Sequence, residues 1–98
     1  MDITDIPQPL RDFIAAYLDV EVFWHAWPDA VRKAFEADPA FRERIQAQYA
    51  ELLTRSALDT RTYRKLTNQP FESDVHMRLW LRERWVDMFG DVPIPGDD

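Results

Sequence analysis

The sequence predicts an all-α fold, a small antiparallel bundle of four to five short helices. Three observations predict it. Apolar residues recur with the helical period through most of the chain. Residues that cap helix starts (Asp38, Asp59 or Thr60, and Ser73) stand directly before those periodic runs. The chain has 2 glycines, Gly90 and Gly96, and both follow the last periodic run.

Taken in order, residues 1–8 are expected to form an arm, stiffened by Pro7 and by Pro9 at the entry to the first helix. Helix one is placed at about 9–18, with Leu10, Phe13, Ile14, Tyr17 and Leu18 on one face. Residues 19–27 read two ways. Val20 and Val22 alternate with Asp19 and Glu21 as in an extended piece. Phe23, Trp24 and Trp27 instead extend a helical face. Pro28 disfavours helical geometry at Trp27 and suits the first turn of a new helix, so helix two is placed at about 28–37, with Ala30, Val31, Ala34 and Phe35 inward.

Asp38-Pro39 is the clearest start signal, and helix three follows at about 39–56. Phe41, Ile45, Tyr49, Leu52 and Leu53 form its stripe, while Arg42, Glu43, Arg44, Gln46 and Gln48 fill the wet side. A shorter helix at about 60–67 is anchored by Tyr63 and Leu66 and stopped by Asn68-Gln69-Pro70. Ser73 caps the last helix, with Asp74 in the first turn, where a negative charge is favoured. Met77, Leu81, Trp85 and Met88 make its inner row, Trp80 and Phe89 lie beside them, and Gly90 ends it as a left-handed stop. Residues 91–98 are expected to be an extended, frayed tail.

The 98 residues make one helical domain, 1–98. There is no cysteine, which excludes disulfides and thiolate chemistry and suits a reducing compartment. No apolar run reaches the roughly 18 residues of a membrane span, and the acidic start is unlike a signal peptide, so the expected location is cytoplasmic. The net charge is −6 and unevenly spread. Residues 1–30 carry six acids against one base, 31–68 eight bases against five acids, and 69–98 seven acids against three bases. An acidic surface repels phosphate and speeds encounter with basic proteins; the plainer account is that the acids maintain solubility.

Motifs for chemistry are lacking. His25 and His76 have no further ligands at matched spacing, since Asp29 lies beyond the break at Pro28, so no metal and no cofactor is expected. Ser56 and Ser73 sit in ordinary helix-end contexts, there is no glycine-rich phosphate loop, and no catalytic residue is assigned. Arg55, Arg61, Arg64 and Lys65 with Tyr63 could hold RNA phosphates and stack a base, but pairing of these bases with neighbouring carboxylates fits an acidic chain better. Trp80, Leu81 and Trp85 read as core. Of Phe23, Trp24 and Trp27, one or two must fill the seam between the first two helices. A partly exposed Trp beside Asp19 and Glu21 would anchor a protein partner.

The order of these pieces resembles the small helical immunity proteins of bacterial contact-dependent growth inhibition systems. The pieces are Phe13-Ile14-Ala15-Ala16-Tyr17, the acidic-aromatic connector from Asp19 to Trp24, Trp27-Pro28-Asp29-Ala30-Val31-Arg32-Lys33-Ala34-Phe35, Glu51-Leu52-Leu53, and Asp74 with Trp80-Leu81. The resemblance covers about residues 10–85. It implies a non-catalytic inhibitor that binds the C-terminal toxin domain of a cognate inhibition protein, many of which are basic nucleases. A monomer in a one-to-one complex is implied, with no direct nucleic-acid or membrane contact. On their acidity and their places at helix starts or in the connector, Asp19, Glu21, Trp24, Asp29, Glu72 and Asp74 are the expected contact residues. The alternative is a helical adaptor or secretion-type chaperone that holds an apolar segment of its partner.

Overall fold

The computed structural model describes residues 1–96, and within residues 20–26 the backbone but not the side chains. Among the described residues are a 3₁₀ turn at Ile3–Asp5 and five α-helices: α1 (Leu10–Tyr17), α2 (Val20–Ala37), α3 (Pro39–Arg55), α4 (Thr60–Thr67) and α5 (Asp74–Phe89). No strand occurs among them, and the fold is all-α.

The caps fall where the sequence places them. The side chain of Asp38 accepts from the Phe41 amide at 3.1 Å, that of Asp59 from the Thr62 amide at 2.8 Å, and that of Ser73 from the His76 amide at 3.1 Å. Each satisfies an amide that a helix start leaves without a partner. α4 stops on Asn68, which takes the left-handed conformation at φ 61°. Gly90 ends α5 at φ 79°, but its ψ of −164° leads the chain away extended rather than through a left-handed turn.

Three segments depart from expectation. α2 begins at Val20, so residues 20–27 are helix and Pro28 lies inside it. An interior proline lacks the amide that bonds four residues back and costs about 3 kcal/mol. Trp27, Val31 and Phe35, buried at helical spacing, offset this. Each contributes about 1.5–3 kcal/mol when removed from water, so packing outweighs the local penalty.

Residues 1–8 are not a loose arm. Ile6 is fully buried, and the Thr62 hydroxyl donates to the Met1 carbonyl at 2.8 Å. Gln48, expected on the wet side of α3, instead clamps the entry to α1. Its Oε1 accepts from the Leu10 amide at 3.0 Å and its Nε2 donates to the Gln8 carbonyl at 2.9 Å. Pro9 at the N-cap of α1 has no side-chain oxygen, so the first amides are met by Gln48 from across the bundle and by Gln8, whose Oε1 accepts from the Asp12 amide at 3.0 Å.

Residues 91–96 are not frayed. Trp85 Nε1 donates to the Val92 carbonyl at 2.8 Å, Ile94 packs against the core, and Gly96 approaches Thr54. Met1 and Gly96 thereby both lie near the last turns of α3. Met1 and Asp5 share one surface hollow with Glu51 and Arg55, while Pro95 and Gly96 share another with Glu51, Thr54 and Arg55.

The core is an aromatic stack set in aliphatic packing. Phe35 of α2 stacks on Phe13 of α1 at 5.6 Å and on Phe89 of α5 at 5.7 Å. Trp85 meets Phe89 edge-on at 4.7 Å. These offset and edge contacts are the geometries aromatic quadrupoles prefer. They bind the first, second and last helices into one cluster with Ile45, Tyr49 and Leu53 of α3.

Candidate protein-binding surface

α5 is apolar on two faces. Met77, Leu81, Trp85 and Phe89 point into the core. Val75, Leu79 and Val86 lie on an outer face, 68%, 56% and 53% exposed. With half-buried Arg82 they follow the i, i+4, i+7, i+11 spacing of a continuous helical seam. The carboxylates of Glu83 and Asp87 run beside the seam, 67% and 45% exposed, and both pair with Arg84, Glu83 at 3.3 Å and Asp87 at 2.8 Å. Arg84 itself lies over the Trp80 ring at 4.7 Å, which fixes the charges against the helix.

Near the C-terminal end of α5, around the helix from this face, lies a groove of about 390 Å³ to which α5 contributes Asp87 and Met88. Trp27, Val31 and Phe35 of α2 and Met88 of α5 give it an apolar floor, while Arg32, Glu36, Arg42 and Asp87 form its rim. Arg42 is held 5.3 Å above the Phe89 ring. An apolar pocket ringed by charge is the shape that accepts a protruding anchor side chain.

The expected contact residues separate into two groups. Glu72 and Asp74 are exposed at the start of α5. Asp74 also accepts from the Thr60 amide at 2.9 Å, so it ties α5 to α4 as well as carrying charge. Asp29 is exposed on α2, beside the groove residues Trp27 and Pro28, and pairs with Arg32 at 2.8 Å. In solvent such a pair contributes little to stability. Asp19 is half-buried in the joint between α1 and α2. Glu21 and Trp24 lie outside the residues whose side chains are described, as do Phe23 and His25. Asp74 and the groove are about 20 Å apart along α5, at a rise of roughly 1.5 Å per residue. Between them runs the outer seam of α5, which sequence reasoning did not single out. Its signal was available: α5 has apolar residues on more than the one face a bundle buries.

A second hollow, of about 450 Å³, lies along α4 and is lined by Arg61, Arg64, Lys65 and Phe71 among others. Tyr63, the aromatic expected to serve these bases, is fully buried in the core. Phe71, from the segment after α4, stands in its place. No ion pair holds Arg61, Arg64 or Lys65 to a carboxylate among the described residues, against the expectation that they are neutralised by neighbouring helices. Among the described residues, no three of His, Cys, Asp and Glu group so as to hold a metal ion.

No family model, no curated protein and no solved structure matches the chain.

Proposed function

We propose that the chain is a non-catalytic inhibitor that binds and neutralises the toxin domain of a contact-dependent growth inhibition system, as one monomer on one toxin in the cytoplasm of the producing cell. The observation that carries this is the outer face of α5, three exposed apolar side chains in line beside carboxylates. Apolar contacts supply affinity in such an interface, and the acids steer a basic partner into register. The order of motifs from Phe13 to Leu81 supports the same class of protein. No described helix is long and apolar enough to cross a membrane.

The test uses the toxin domain encoded beside this gene. The purified protein is expected to form a one-to-one complex with it and abolish its toxicity in cells. Leu79→Asp, on the exposed seam, is expected to weaken the complex at least tenfold without unfolding the bundle, since it places an unpaired charge in a desolvated contact. Absence of any complex with that domain, or turnover of a small molecule by the protein alone, overturns the proposal. The groove beside Trp27 favours a second reading, an adaptor that holds an apolar peptide. That reading predicts affinity that scarcely changes with salt, whereas charge steering predicts association that slows as salt rises.

A further inference from the structure

The hollow along α4 holds three cations that form no ion pair among the described residues and take no part in the proposed toxin contact; Arg61 adds only a minor pull on the Asp59 carboxyl. Arg61, Arg64 and Lys65 occupy i, i+3 and i+4 on one side of α4 and are all exposed. Like charges at this spacing repel, so the cluster costs the helix stability. Helix polarity does not account for it. Arg64 and Lys65 in the last turn are favourable there, but Arg61 lies in the first turn, where a positive charge is not. Four other arginines have a job inside the molecule. Arg32 pairs with Asp29, Arg84 with Asp87, Arg78 donates to the carbonyls of Ser56 and Leu58, and Arg42 covers Phe89.

Phe71 forms another wall of the same hollow. Its ring is braced 5.7 Å from Tyr63, 5.5 Å from Trp80 and 5.7 Å from His76, so the π-surface it offers is preset. The volume of about 450 Å³ lies within the range of small-ligand sites. We propose that this hollow binds a free nucleoside triphosphate, with the phosphates on Arg61, Arg64 and Lys65 and the base against Phe71. Guanidinium groups grip phosphate oxygens in pairs, and an aromatic ring accepts any base face.

Charge around the hollow selects a compact anion over a polymer. Asp59 and Asp74 flank the start of α4, and Glu72 follows Phe71. A nucleic-acid strand leaving the hollow would run its phosphates past these carboxylates on a chain of net charge −6. A mononucleotide keeps its charge on the three cations.

Titration calorimetry of the whole chain with ATP, with inorganic tripolyphosphate and with a short single-stranded RNA separates these cases. Saturable ATP binding is expected, weakened about tenfold by Arg64→Ala, the loss of one charge-assisted contact. Phe71→Leu, which keeps an apolar side chain under Trp80, is expected to weaken ATP by about tenfold and to leave tripolyphosphate unchanged. Arg64 is exposed, so its variant retains the fold and keeps the test decisive even if Phe71→Leu disturbs packing. No saturable binding of ATP at low salt overturns the proposal. So does ATP binding that is indifferent to Arg64→Ala, or RNA binding tighter than ATP. None of these results bears on toxin binding, which is tested separately.

Discussion

Two buried tyrosines make opposite demands on the fold. The Tyr49 hydroxyl donates to the Leu81 carbonyl at 2.6 Å, whereas the buried Tyr63 hydroxyl has no hydrogen-bond partner among the described residues. Tyr49→Phe is therefore expected to lower stability by about 1 kcal/mol, the net worth of a buried hydrogen bond. Tyr63→Phe is expected to leave thermal stability unchanged or to raise it, because it removes an unsatisfied group. Thermal unfolding of the pair checks both, and a larger loss at Tyr63 would contradict the geometry. Burial raises both phenols above the ordinary 10.0, Tyr49 with a further contribution from neighbouring Tyr63, and Tyr63 against an opposing pull from Arg84. The folded chain thus keeps protons that the unfolded chain releases. This stability is fully present below pH 10.0 and is lost as pH rises beyond it. Denaturant midpoints should fall above pH 10.0; phenols that ionise there in the folded chain would refute this. At this scale the sequence was only partly legible. Periodicity identifies Tyr49 and Tyr63 as inward but cannot say which finds an acceptor on another helix. Likewise Gln48 reads as solvent-facing until the path of Gln8 and Pro9 is known.

Helix boundaries were legible wherever a side chain satisfies its own backbone. Asp38, Asp59 and Ser73 announce α3, α4 and α5 because each reaches an amide three residues on. The Thr62 amide and hydroxyl hold the Asp59 carboxyl below its ordinary 3.8, so acid removes that cap as pH falls through the lowered value. α2 was misplaced because its start depends on no such local signal and because Pro28 argues for a break. The outcome turns on packing between distant segments, Phe35 against Phe13 and Phe89. Pro28→Ala restores the missing amide, and is expected to raise stability by about 1–3 kcal/mol, less any contact the ring makes at the groove. A lower melting temperature for this variant would mean that α2 requires the break after all. The end segments went unread for a similar reason. Ile6 and Ile94 are single apolar residues without a period, and only the finished core shows where they dock.

For the whole molecule, fold class followed from the apolar period and the helix caps, but the candidate surface did not. The α5 seam is local and could be found by counting apolar faces. The groove near its end joins Trp27 to Met88 and Arg42 to Asp87, and no spacing rule connects them. The fold nevertheless puts the charge asymmetry to use: the bases of 31–68 include the α4 cluster, while acids of the first and last thirds border α2 and α5. Reversing charge with Glu72→Lys and Glu83→Lys is expected to slow association with a basic toxin domain by about tenfold at low salt and by much less at high salt. Stopped-flow rates across a salt series measure this. A rate unaffected at low salt would take the acids of α5 out of the encounter.

Met1 and Gly96 both come to rest against Glu51 and Arg55, on hollows at the same end of one helix. A helix is about 10 Å across, so a bridge of a few residues would reach from one to the other. A chain in which Met1 and Gly96 are so joined can be cut open at the exposed corner between Ala37 and Asp38, which leaves the Asp38 cap on α3, and is expected to retain the native core. A reporter placed at that new opening would stand between Glu36 and Arg42, at the rim of the groove. A group attached at Met1 or at Gly96 would meet the closing turns of α3.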